Sequence, residues 1–409
     1  MEEALMKILV LNCGSSSVKY QLIETDNELA LAKGIIDRIG LNDSTVKYSS
    51  LNGECATTEQ IQNHEEAIQK VLQLITDQSI GVLGSLDEID AIGHRIAHGG
   101  EYFTKPTLID ETSKRLLKKC IDLAPLHNPA NIRGIEACEH KIPGKPNIGV
   151  FDTAFHQTIP EYAYLYPLPY ELYEKHKIRR YGFHGTSHKY VALKAAEYLN
   201  KRVEELNLIT CHLGNGASIC AIKKGKSSDT SMGFTPLEGL MMGTRSGSID
   251  PAIVIYLMQK GNMSVEKVNE ILNKKSGLLG ISGVSNDLRD ILKAANNGNQ
   301  RAQIAIEMFC YRVRKYIGGY MTTLDGVNAI VFTGGIGENS PEVRERTIIG
   351  LEWIGIEYDK EKNYSHKKCD QIVEITKPNS KIKVLVIPTN EELMIAKETA
   401  EVMSFFDNK

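Results

Sequence analysis

Two stretches of this chain are built alike, and any fold it adopts has to accommodate both. Lys7 to Ile23 reads KILVLNCGSSSVKYQLI: an apolar run Ile8-Leu9-Val10-Leu11, a small-residue reversal at Gly14-Ser15-Ser16-Ser17, and a returning run with Val18, Tyr20 and Leu22 on one face. This is the pattern of a β-hairpin. Leu208 to Ile219 repeats it as an apolar strand, a reversal at Gly214-Asn215-Gly216, and a second strand. Two later elements recur in the same order. Ala329 to Gly335 mirrors Ala91 to Arg95 and the glycines that follow, and Val384 to Thr389 mirrors Ile148 to Asp152. Three matched elements in one order predict two related α/β halves with a cleft between them.

The 409 residues leave room for two or three domains at ~150 residues each. Charged residues make up 24% and the net charge is -3, so no global field favours nucleic acid or a membrane surface. Small anions must be met by local clusters. The eight cysteines form no C-x-x-C pair and several, such as Cys211, lie in apolar runs. Cys369 is counted with them as a reduced thiol in a cytoplasmic protein. The start MEEALMKILVLN is too acidic, and its apolar run too short, for a signal peptide; residues 1–5 are expected to be an unpacked extension.

Further strands are expected at 30–38, 45–50, 90–96 and 147–151. Helices are expected at 65–75, 111–123, 128–140, 250–260, 264–274 and 299–323, with loops at 276–283 and 296–300. Ser187 has the character of a helix N-cap, with His188 in the first turn.

Small residues at a strand tip let backbone N–H groups and hydroxyls approach an anion closely. Asn12, Ser15 and Ser17 could donate there, with Lys19 adding charge. A P-loop is absent, because Cys220 stands where its first glycine belongs, and no G-x-G-x-x-G opens a helix after the first strand. Thr333-Gly334-Gly335-Ile336-Gly337-Glu338-Asn339 follows an apolar strand and precedes a helix expected from Pro341. A nucleotide could pass close to that backbone, or the run could be a tight structural turn. Arg95 and Arg245 both stand beside glycines, and either an anionic ligand or an Asp or Glu partner would satisfy each guanidinium. His184 and His188 have no carboxylate or Cys at metal-ligand spacing, so one histidine reads as a hydrogen-bond donor to developing charge and the other as a packed helix residue. Asp152, Glu391 and Glu392 stand at strand ends. They suit a Mg²⁺ site shared with phosphate and water, or an Asx turn and an N-terminal helix turn.

With these residues assembled, the chain resembles the acetate kinase family over nearly its whole length. The resemblance is carried by LVLNCGSSSVKYQL, GHRIAHGG, LAPLHNPAN, FDTAFHQTIP, YGFHGTSHKYVA, CHLGNGAS, GFTPLEGLMMGTRSGSIDP, SGLLGISGVSNDLRD, FTGGIGENS and IPTNEEL. It implies an α/β chain with the duplicated ribonuclease-H-like, actin-like fold of the acetate and sugar kinase, Hsc70 and actin superfamily, with two domains around a nucleotide cleft. The domains would be 1–152, with helix 391–409 packed back on it, and 153–390. The implied activity is reversible phosphorylation of acetate by ATP, giving acetyl phosphate and ADP, in a homodimer that uses Mg²⁺ or Mn²⁺.

On the family pattern the catalytic residues are Asp152, His184, Arg245 and Arg95, and the metal positions are Asn12 and Glu391. The substrate would meet Arg95, Ala97, Leu126, Phe183 and Pro236. The nucleotide would meet Lys19, His212, Leu213, Gly214, Asn215, Gly216, Asp287, Leu288, Arg289, Gly335, Ile336, Gly337, Glu338 and Asn339. One position departs from the pattern. Acetate kinases usually carry Val two residues after the substrate arginine, where this chain has Ala97 and propionate kinases have Ala. Two other functions fit the same fold: a non-catalytic, ATP-switched partner-binding protein, and a sugar kinase with a catalytic carboxylate near a hydroxyl.

Overall fold

The computed structural model describes residues 6–365 and 371–407, so the expectations for residues 1–5 and for Cys369 lie outside the described residues. The chain divides into two compact units, Met1–Phe155 with Asn390–Lys409, and His156–Thr389.

The first unit is built on an eight-stranded sheet. Its strands are β1 (Lys7–Cys13), β2 (Ser17–Glu24), β3 (Leu29–Asp37), β4 (Ser44–Ser50), β5 (Glu54–Glu59), β6 (Ala91–Ile96), β7 (Thr107–Leu108) and β8 (Asn147–Phe151), in the order β5-β4-β3-β2-β1-β6-β8-β7. Parallel pairing joins β1 to β6 and β6 to β8, while β1 and β2 form the expected antiparallel hairpin. The continuous apolar run of β1 follows from its central place, where Ile8, Leu9, Val10 and Leu11 are all buried. Full burial of a side chain like Leu9 contributes about 1.5–3 kcal/mol. Helices His64–Ile75 and Asn128–Lys141 pack together beside the sheet, and Glu391–Asp407 packs on β1, β6 and β8. A Cβ at Gly93 would lie 2.5 Å from Thr399 Oγ1, so glycine is what lets this last helix come so near the sheet.

The second unit repeats the plan with β9 (Asn207–Leu213), β10 (Ala217–Lys223), β11 (Lys226–Thr230), β12 (Ala329–Thr333), β13 (Val373–Glu374) and β14 (Lys383–Val386), ordered β11-β10-β9-β12-β14-β13. Again β9–β12 and β12–β14 are parallel and β9–β10 is an antiparallel hairpin. Strand register fixes which residues correspond. Ile8 faces Ala91 as Leu208 faces Ala329, which aligns Arg95 with Thr333. Ile92 faces Asn147 as Ile330 faces Val384, which aligns Asp152 with Thr389. In the hairpins Asn12 faces Lys19 as His212 faces Ser218.

Four local expectations change. The segment read as a loop at 276–283 contains helix Gly277–Ser282, which opens on Gly277 at φ 62 and closes on Gly283 at φ 67. The polar strand β5, ECATTE, carries no apolar alternation because it is an exposed sheet edge. The glycine run after β12 is itself helical, Gly334–Asn339, ahead of the helix Pro341–Ile348. Finally, the N-cap of helix Gly185–Tyr198 is His184 and not Ser187, since the chain enters the helix through a left-handed residue at φ 57, ψ 23.

Candidate active site

In the first unit the sheet brings together the ends of β1, β6 and β8 with the first turn of Glu391–Asp407. Asp152, one residue past β8, is buried and takes the Arg95 fork on both oxygens: Nε donates to Oδ1 at 3.1 Å and Nη2 to Oδ2 at 2.5 Å. Arg95 Nη1 also donates to Asn12 Oδ1 at 3.3 Å. Asp152 is thus held by an arginine and not in an Asx turn. The adjacent Asp152 carboxylate raises the Arg95 pKa, against the opposing effect of burial, with Glu391 and Glu392 adding to the rise. Burial pushes Glu391 up to about 7; Arg95 opposes this, while Asp152 and Glu392 reinforce it. Asn390 caps the helix, its Oδ1 accepting from the Leu393 N–H at 3.0 Å. The result is an acid-rich cluster in which three carboxylates outnumber Arg95 and the exposed Lys19. Among the described residues no three His, Cys, Asp or Glu gather as a metal cage. A site completed by phosphate and water needs no such cage, because Mg²⁺ is commonly held by one or two carboxylates. Ala97 is tied to this edge: its N–H donates to Asn131 Oδ1 at 3.1 Å, and Asn131 donates to the Cys13 carbonyl at 2.8 Å. Leu126 is 75% exposed.

The second unit gathers cationic and hydroxyl groups. His184 Nδ1 lies 2.8 Å from Ser218 Oγ, and its ring stacks on His212 at 4.3 Å between centroids. His212 Nδ1 meets Ser187 Oγ at 2.7 Å, and Ser187 reaches Thr389 Oγ1 at 2.8 Å. Arg245 donates from Nη1 to the Pro236 carbonyl at 3.0 Å, with Met242 Sδ at 3.5 Å, and among the described residues it has no carboxylate partner. Burial lowers its pKa. A Cβ on Gly216 would sit 3.5 Å from His184 Nε2 and 3.7 Å from Arg245 Nη1, so imidazole and guanidinium converge on the tip of the β9–β10 hairpin. Phe183, one residue before His184, is buried in this unit's core.

The glycines here have distinct reasons. A Cβ on Gly243 would lie 1.9 Å from Asn215 Oδ1, and the Gly243 N–H donates to the Asn215 carbonyl at 3.0 Å, joining the Arg245 loop to the hairpin tip. Asn215 Oδ1 also accepts from Asn286 Nδ2 at 3.2 Å. Some of the residues expected at the nucleotide are engaged within the unit. Glu338 Oε1 accepts from Thr333 Oγ1 at 3.2 Å, from the Gly334 N–H at 2.8 Å and from the Thr389 N–H at 3.0 Å, clamping the two strand ends. Asp287 caps helix Leu288–Asn296 and takes the Arg289 guanidinium at 2.5 Å. Gly335 and Asn339 are exposed, Ile336 packs partly against the core, and Leu213 and Leu288 are buried in it.

Sequence reasoning did not single out Ser218 or Thr210. A three-residue reversal that sets Leu213 opposite Ala217 also sets His212 opposite Ser218, and that register was the available signal.

Two sheets of matching strand order, each with polar groups at equivalent strand ends, define the actin-like class of α/β chains. The model of the Acetokinase family matches residues 7–397. An acetate kinase of Caldicellulosiruptor saccharolyticus is 62% identical over 97% of this chain and 100% of its own length. The structure of Porphyromonas gingivalis acetate kinase aligns at 47% identity with TM-score 0.94, covering 97% of this chain and 100% of that one. A propionate kinase from Francisella tularensis aligns at 44% identity with TM-score 0.90, over 97% and 100%. This chain belongs to the acetokinase family.

Proposed function

We infer that this enzyme catalyses the reversible phosphorylation of acetate by ATP. A carboxylate oxygen attacks the γ-phosphorus, the bond from phosphorus to the β–γ bridging oxygen breaks, and acetyl phosphate and ADP result. The observation that carries the reading is Arg245, a largely buried guanidinium that has no carboxylate partner among the described residues, standing beside His184. Such a cation is costly unless an anion meets it. The charge that spreads over the equatorial oxygens during phosphoryl transfer is an anion of that kind.

Acetate is ionised at pH 7 and needs no general base. Asp152 therefore serves to hold Arg95, which already occupies both of its oxygens. Arg95 in turn offers its guanidinium to the carboxylate or phosphoryl group. Asn12 and Glu391, with Asp152 close by, fit a divalent cation, because an excess of buried carboxylate is relieved by positive charge. When bound, Mg²⁺ or Mn²⁺ would neutralise phosphate charge. The adenine nucleotide is placed by the same reading along His212–Gly216, Asp287–Arg289 and Gly335–Asn339, with Lys19 adding a phosphate contact. A hydroxamate trap with ATP, Mg²⁺ and acetate tests this, and absence of acyl phosphate from acetate, propionate and butyrate alike would end it.

Ala97 supports a second substrate. A pocket wall smaller than Val leaves room for another CH₂, and discrimination of one methylene is only about 1–3 kcal/mol. The comparison of kcat/KM for acetate and propionate decides which acid is preferred. The expected homodimer is also a proposal. Helix Ala252–Gln259, AIVIYLMQ, buries none of its residues and exposes Ile253, Ile255 and Tyr256, the kind of apolar face that a second copy covers. Sedimentation of Ile255→Glu against the unaltered chain tests that face. A cytoplasmic location agrees with the unpaired, buried thiols among the described residues, whose pKa values burial raises, as for Cys13 and Cys120 at about 12. No helix among the described residues is long and apolar enough to cross a membrane.

A further inference from the structure

Behind His184 lies a chain of hydrogen bonds whose direction can be worked out. Ser218 Oγ is 2.8 Å from His184 Nδ1 and 2.8 Å from His188 Nε2, and His188 Nδ1 is 2.7 Å from Thr210 Oγ1. Ser218, His188 and Thr210 are fully buried. At the far end, among the described residues, the Thr210 hydroxyl has the single partner His188 Nδ1. A buried hydroxyl proton without an acceptor forfeits its whole hydrogen bond to water, whereas a hydroxyl oxygen with an unused lone pair loses less. Thr210 O–H therefore donates to His188 Nδ1.

The rest follows in sequence. With Nδ1 accepting, a neutral His188 carries its proton on Nε2 and donates to Ser218 Oγ. Ser218 accepts there, so its own proton goes to His184 Nδ1. Nδ1 of His184 is an acceptor, and its proton stands on Nε2, the nitrogen at the Gly216 tip beside Arg245. The reverse direction would leave the Thr210 proton orphaned and give His184 an Nε2 lone pair facing the anion.

We propose that Thr210, His188 and Ser218 are positioning residues that form a one-way relay, fixing His184 as the Nε2–H imidazole that donates to the transferring phosphoryl group. This rests on the role given to His184 in the reading above. Two independent features agree with it. Burial, with His156 and His212 nearby, holds the His188 pKa well below the usual histidine range, so His188 is neutral as the relay needs. His184 also sits at φ 57, ψ 23, a strained backbone for a residue with a side chain, which persists where surrounding bonds over-determine it.

The test uses the full chain labelled with ¹⁵N-histidine, without substrate, alongside steady-state kinetics. Expected is a His184 with protonated Nε2 and bare Nδ1 at pH 7, assigned by the loss of its signals in His184→Gln. In Ser218→Ala and in the near-isosteric Thr210→Val the Nδ1–H form should appear. kcat should fall about ten- to a hundredfold in the first and several-fold in the second, with KM for ATP and acetate within twofold, while Thr210→Ser keeps both the tautomer and kcat. A wild-type His184 protonated on Nδ1 would overturn the relay. So would an unmoved tautomer in both variants, or a moved tautomer with unchanged kcat. Because the spectra need no turnover, a correct tautomer in a chain that phosphorylates no carboxylate would sink the functional reading alone.

Discussion

The two sheets share a strand order and a register, yet equivalent positions carry opposite chemistry. Where the first unit has Asn12, Lys19, Arg95 and Asp152, the second has His212, Ser218, Thr333 and Thr389. The first set has three charged members, and Glu391 and Glu392 beside them make its surroundings acid-rich. The second is neutral and hydroxyl-bearing, and its cations, Arg245 and His184, come from outside the repeated strands. The same backbone thus carries an excess of carboxylate in one unit and of cationic side chains in the other. The scaffold fixes positions, and side chains at the strand ends decide the charge.

The contrast can be broken most strongly at the two arginines. Arg95→Ala strands the buried Asp152, and removal of one partner from a buried pair costs about 3–5 kcal/mol. The first unit should lose that stability in urea unfolding, with kcat also falling; an unchanged midpoint would show the pair to be incidental. Arg245→Ala breaks no ion pair among the described residues, so its melting temperature should hold while kcat drops about 10²–10³-fold with nucleotide affinity largely kept. A melting temperature that falls as far as that of Arg95→Ala would erase the distinction.

Acid should treat the units alike. Burial lowers His94 and His98 in the first unit to about 4 and about 3, and His156 in the second to about 4, with His188 also depressed. The folded values lie below the unfolded value of about 6.5, so their contribution is complete above that pH and is lost as pH falls toward the folded values. Each should cost about 1 kcal/mol between pH 7 and 5.5, measured by urea midpoints. A flat profile down to pH 5 would contradict it.

Smaller effects sharpen the picture. Glu391→Gln should raise the Mg²⁺ concentration for half-maximal activity about tenfold, equivalent to roughly 1.4 kcal/mol. Unchanged metal dependence would remove Glu391 from that role. Ala97→Val should shift the acetate-to-propionate ratio of kcat/KM toward acetate, by no more than the ~1–3 kcal/mol of one methylene. No shift would place the chain-length determinant elsewhere.

Much of this was legible in the chain. Apolar runs bounded by glycines gave the hairpins β1–β2 and β9–β10, because a buried central strand must be apolar on both faces. What escaped lacked such a pattern: β5 is a polar edge, and Gly277–Ser282 looks like a loop because glycines flank so short a helix. The His184 cap escaped too, since a left-handed histidine leaves no mark in residue order.

By itself the sequence determined the duplicated α/β plan, the family motifs and the residue types available for phosphate and carboxylate chemistry, since these follow from periodicity and composition along the chain. Only the tertiary structure decided the partners. It gave Arg95 a carboxylate and, among the described residues, left Arg245 without one, and it aligned Thr210, His188, Ser218 and His184 into one relay. Hydrogen bonds and desolvation act over a few ångströms between residues distant in sequence, so their outcome is set by folding and not by order.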